Sequence, residues 1–160
     1  MGQKRLMRPT KNKTLKRIWR DIEKNVPPKF KEAYLATVMI AKKILFDAKT
    51  SGRIMKDFNA QIDEDVSDIP NATAQLVMDT MGLVYGESKQ SIPPEALLLA
   101  SVPVAASVLQ YVETSLQETL SKELIGETMK SVIVNMMTSM GLSVETMEGL
   151  TTGEIQRCAE

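Results

Sequence analysis

The chain contains no histidine in 160 residues, and that absence removes the commonest general base and the commonest metal ligand. It has one cysteine, Cys158, which can form no internal disulfide, so the fold does not rely on bridges and suits a reducing compartment. Aromatic residues are equally scarce: one Trp, three Tyr and three Phe. The core must therefore come from Leu, Ile, Val, Ala and an unusual eleven Met, a mixture that favours helices with adaptable packing surfaces.

Chemical motifs are missing as well. There is no Gly-rich phosphate loop, nucleophile elbow or cysteine pair, and Cys158 has no histidine to activate it. No pair of carboxylates stands out, so the sequence points to a protein that is not an enzyme, with no cofactor and no metal. Asp63, Glu64, Asp65 and Asp68 form an oxygen-rich run, yet they lack the loop length, central Gly and terminal Glu of an EF-hand and read as a solvated linker. The N-terminus is charged and no apolar h-region follows it, so export by a signal peptide is not expected. Leu6 stands where a myristoylation signal wants Ser or Thr. Asn12-Lys13-Thr14 and Asn71-Ala72-Thr73 match the glycosylation sequon by chance in such a chain.

What the chain does have is charge separation. Residues 1–60 carry 16 basic and 5 acidic side chains, net +11, while residues 61–160 carry 4 and 15, net −11. One end is thus suited to an anionic partner, whether nucleic acid, anionic lipid or an acidic subunit, and head-to-tail self-association follows from the same physics. Residues 1–13 form a basic arm. Lys4, Arg5, Arg8, Lys11 and Lys13 in the arm, with Lys16, Arg17 and Arg20 just beyond it, are the candidate residues for binding nucleic acid or an acidic partner.

Apolar periodicity predicts an all-α bundle of about five to seven helices, with the basic arm before it and short C-terminal helices after it. The helical domain spans residues 14–142, with a possible internal boundary at 86–93, and residues 143–160 make a tail whose capping signals are Ser143 and Thr152. Thr14 is the expected N-cap of the first helix, whose apolar stripe is Leu15, Ile18, Trp19, Ile22 and Val26, and Pro27-Pro28 ends it. A second helix, buried on most sides, should run from Lys29 to Thr50, and a shorter third carries Ile54, Phe58 and Ile62. Asn71 is the expected cap of a fourth, which ends near Val84 and turns Leu76, Val77, Met81 and Val84 inward.

The most apolar stretch is Ala96 to Val112, seventeen residues without a charge. As a helix it is about 25 Å long, slightly short of a bilayer core. It reads either as the buried centre of the bundle or as a segment that enters a membrane, with Pro103 marking a kink or the first turn of a new helix. The helix should continue to Leu120, break near Ser121 or Gly126, and be followed by a stripe of Ile125, Met129, Val132, Met136 and Met140 ending at Gly141. From these two segments Leu97, Leu98, Val104, Val108, Val112, Met129, Val132, Met136 and Met140 are the candidate oligomer or membrane contacts.

The basic arm MGQKRLMRPTKNK, the helices ALLLASVPVAASVLQYV and KSVIVNMMTSMG, and the lack of His and paired Cys together resemble the small helical internal or ejection proteins of short-tailed bacteriophages. The resemblance is one of composition and transfers no functional residue. It implies a virion protein, present as a homo-oligomer among other virion proteins, that lines or assists the route by which DNA is delivered. A cytoplasmic nucleic-acid-binding protein and a membrane-inserting or pore-forming protein are the alternatives.

Overall fold

The computed structural model describes residues 12–46, 56–58, 60, 62, 68–88 and 91–140. Among them there is no strand. Five long helices, α1 (Lys13–Asn25), α2 (Pro28–Phe46), α3 (Ile69–Glu87), α4 (Pro94–Leu116) and α5 (Lys122–Met140), build an all-α bundle. A further helical turn at residues 56–58 precedes the buried Ile62 and itself buries Phe58.

The bundle is organised around α4, which packs against all four of the other helices. Every residue from Ala96 to Leu109 is buried, as is Val112, because a helix apolar on all sides needs cover on all sides. Of the described helices α4 alone is long and apolar enough to cross a bilayer, and 83% of its most apolar window is buried by the rest of the protein. Pro94 opens it with the missing N–H at a position that needs none, and Glu95 sits by the positive end of the helix dipole. Pro103 lies inside this single uninterrupted helix, so it does not begin a new one. The buried hydroxyls on either side are satisfied within the helix: Ser101 Oγ donates to the Leu98 carbonyl at 2.6 Å and Ser107 Oγ to that of Pro103 at 3.1 Å.

The helix stops before Leu120, contrary to the sequence expectation. Gln117 adopts the left-handed conformation, φ 56°, with its N–H on the Glu113 carbonyl, and Leu120 is buried from the loop instead. Ser121 then caps α5, its hydroxyl accepting from Leu124 N at 3.1 Å, so the break falls there and Gly126 lies buried inside the helix.

Two other helices differ in their bounds, and a third in its burial. The N-cap of α1 is Asn12 rather than Thr14, with Asn12 Oδ1 accepting from Thr14 N at 3.0 Å and Leu15 N at 3.3 Å. Helix α3 starts at Ile69, two residues before Asn71, because Pro70 fits the first turn, and it runs on to Glu87. Helix α2 buries one face, through Tyr34, Thr37, Val38, Ala41 and Leu45, and leaves Met39 58% exposed rather than being covered on most sides. The expected continuation of α2 to Thr50, the acidic run at 63–65 and the tail 143–160 lie outside the described residues.

Candidate anionic-partner interface

The predicted partner-binding residues fall into two groups. Lys4, Arg5, Arg8 and Lys11 lie outside the described residues. Lys13, Lys16, Arg17 and Arg20 are all exposed on α1, and Lys24 joins them in its last turn. Their spacing of three, four and seven residues sets them along one side of the helix over roughly 16 Å of axis. The rotation of α1 is fixed from the opposite side. Leu15, Ile18, Trp19 and Ile22 are each at most 4% exposed and pack against the bundle, and turning any one outward would strip that apolar area of its cover.

Asn12 fixes the start of this ladder. Its Nδ2 donates to Glu113 Oε2 at 2.6 Å and to the Leu120 carbonyl at 3.2 Å, while Leu120 N donates to the same Glu113 oxygen at 2.8 Å. One carboxylate therefore joins the beginning of α1 to the turn between α4 and α5. Sequence reasoning passed over Asn12, although Asn ranks among the best N-caps and stands one residue before the helix. Asn12 is 5% exposed, with both ends of its amide engaged.

At the seam between α1 and α2, Lys42 Nζ lies 5.0 Å from the centre of the Trp19 ring, a cation–π contact. Burial raises the pKa of the Glu23 carboxyl, against the opposing pull of the Trp19 N–H, Lys31 and Lys42. Among the described residues neither the buried Trp19 indole N–H nor the buried Tyr34 Oη has a well-formed hydrogen bond. Burial, with the Glu23 charge behind it, holds the Tyr34 phenol far above its ordinary range and hence neutral.

The predicted contact residues are located differently from the expectation. Leu97, Leu98, Val104, Val108, Val112, Met129, Val132 and Met136 are 0–4% exposed and form the core of this one chain. Their side chains face the bundle's own helices, so contact with a second copy or with lipid would require the bundle to open. Met140 is the last residue of α5, and its side chain lies outside what is described. Among the described residues the large apolar side chains left exposed are instead Met39, Leu83 and Val134.

Among the described residues the surface carries an apolar cleft and a smaller one. The larger, about 370 Å³, lies among α3, the start of α4 and the end of α5, with Met78, Met81, Tyr85, Leu97, Met136 and Ser139 in its walls. The smaller, about 120 Å³, lies between α2 and α4 beside Lys42, Phe46, Gln110 and Tyr111. Among the described residues no group of three or more Cys, Asp or Glu side chains is placed to hold a metal ion. Compared with protein-family models, curated proteins and solved structures, the chain matches none.

Proposed function

We propose that the protein is a non-enzymatic structural component of a nucleic-acid-containing particle, and that its N-terminal region binds phosphate. The observation that carries this reading is the exposed ladder Lys13, Lys16, Arg17, Arg20 and Lys24, held on a helix whose rotation is fixed by its buried face. With Lys4, Arg5, Arg8 and Lys11 ahead of it in sequence, the region offers nine cations without a dedicated base-reading element. Binding of this kind is insensitive to sequence and strongly sensitive to salt. A virion protein associated with DNA delivery, as the resemblance to phage internal proteins implies, would have this use for such a region.

The test is fluorescence anisotropy with a short labelled DNA duplex across a salt series. Neutralising five to eight phosphates gives a slope of log K against log salt between about −4.5 and −7, from roughly −0.9 per phosphate. Arg17→Glu with Arg20→Glu should weaken binding alike for unrelated duplex sequences. Absence of binding at low salt, or binding indifferent to these changes, overturns the reading. Oligomer formation remains part of the proposal, now through exposed surfaces that include Met39, Leu83 and Val134. Membrane insertion is less well supported, because α4 would first have to leave four packed neighbours.

A further inference from the structure

Glu23 stands at the border between the two faces of α1. It follows Trp19 by four residues, Arg20 by three and Lys16 by seven, so it lies between the buried stripe and the cation ladder, and it is half-buried there. Helix α2 runs back beside this border. Lys31 is exposed and Lys42 half-buried, and their spacing of about three turns sets them on one side of α2. Lys42 reaches α1 at Trp19, with Nζ 5.0 Å from the ring centre, and both lysines draw the Glu23 carboxyl toward its charged form. The seam therefore gathers two amines of α2 around one carboxylate of α1.

That carboxylate is poorly matched to its place. Burial opposes its charge more strongly than the Trp19 N–H, Lys31 and Lys42 support it. Two donors of the same neighbourhood, the Trp19 indole N–H and the hydroxyl of Tyr34, whose phenol feels the Glu23 charge, are buried without a well-formed hydrogen bond among the described residues. The protein's own anion is thus held weakly. Arg20, one turn before Glu23, and Lys24, next to it, belong to the exposed ladder, so a phosphate backbone lying along α1 passes within side-chain reach of the seam. Such a phosphate offers the same charge from the solvent side, where less desolvation opposes it.

We propose that the phosphate-binding surface crosses the α1–α2 seam to include Lys31 and Lys42, and that the Glu23 carboxylate is an internal competitor for these two amines, displaced when a nucleic-acid phosphate takes its place. The proposal rests on the reading that α1 binds the nucleic-acid backbone. It adds a second helix to that surface and an autoinhibitory contact that sets its affinity.

The test measures duplex binding by anisotropy, at neutral pH across a salt series, for wild type, Glu23→Gln, the pair Lys31→Gln with Lys42→Gln, and the variant combining all of these changes. Glu23→Gln should tighten binding about threefold, the scale of one partly solvated ion pair. The lysine pair should weaken binding and flatten the slope of log K against log salt by about 1.8, from roughly 0.9 for each of two phosphates. In the combined variant the gain from Glu23→Gln should vanish, because a competitor and the groups it competes for are coupled. A gain that persists without the lysines is a plain effect of net charge and overturns the proposal, as does an unaltered slope in the lysine pair.

Trp19 gives a readout in the unmodified protein, since it is the only Trp in the chain and Lys42 lies over its ring. Its emission should change as unlabelled duplex saturates the protein, and not with vesicles of phosphatidylglycerol. No change at saturation, or an equal change with the vesicles, overturns the proposal. Failure of the broader reading looks different. There wild type does not bind the duplex at all, whereas failure at the seam alone leaves binding that Arg17→Glu with Arg20→Glu still weakens.

Discussion

Asn12 and Glu113, 101 positions apart in sequence, are joined by a 2.6 Å hydrogen bond from the amide to the carboxylate, and the same carboxylate holds the Leu120 backbone N–H. Asn12 meanwhile caps α1. Asn12→Ala removes the cap and leaves the Leu120 carbonyl without its partner. It should cost about 1–3 kcal/mol in urea unfolding, more than a cap alone. Asn12→Asp keeps the cap acceptor but sets two carboxylates against each other, and it should recover little of that loss. If Asn12→Asp is as stable as wild type, the link to Glu113 contributes nothing.

Glu23 gives a pH signature. Its folded-state pKa is raised by burial, so protonation favours the folded protein. The contribution is fully present below the ordinary value of 4.5 and is lost as pH rises through the folded-state pKa. Glu23→Gln should therefore raise Tm at pH 7, by a small amount because the group is partly solvated, and leave Tm unchanged near pH 4. A variant less stable than wild type at pH 7 would mean that Lys31 and Lys42 outweigh desolvation.

The core assignment of the α4 and α5 residues makes a prediction that an interface assignment does not. Leu98→Ala should cost about 2–5 kcal/mol at any protein concentration, since the cavity lies within one chain. Met136→Lys, placing a charge at a side chain that is 2% exposed, should lower Tm sharply rather than change only the mass measured by light scattering. Intact Tm with altered mass would return Met136 to an interface.

Gly86 sits in the last turn of α3 with nothing within 4 Å of an added Cβ. Gly86→Ala should stabilise the protein by about 0.5 kcal/mol, chiefly by restricting the unfolded chain. A loss of stability measured by thermal melting would show that the position needs backbone freedom only Gly supplies.

Much of the bundle is legible in the sequence because each helix carries its own punctuation. Pro27-Pro28 separates α1 from α2, Pro94 opens α4, and the charge-free run 96–112 marks the element buried on all sides. The stop at Gln117 is not legible, since nothing in its residue type favours a left-handed backbone. Nor does an apolar stripe state whose surface covers it. Val108 and Met129 read equally as core or as contact until the neighbouring helices are in place, and that is why they appear among the candidate contacts. The cation ladder is legible, because exposure follows from the apolar positions on the far side of the same helix. The Asn12–Glu113 link and the cleft by Gly82 arise from residues distant in sequence, which periodicity does not relate.

The position of α4 has a consequence for how the protein can be divided. A cut in the segment between α3 and α4 would leave one piece, α1 to α3, that has lost the helix its inner faces surround, and another, α4 and α5, whose central helix is largely stripped. Both pieces should therefore be unfolded on their own. Mixed, each supplies the surface the other has lost, so the two fragments should fold only together, and circular dichroism of each alone and of the mixture checks it.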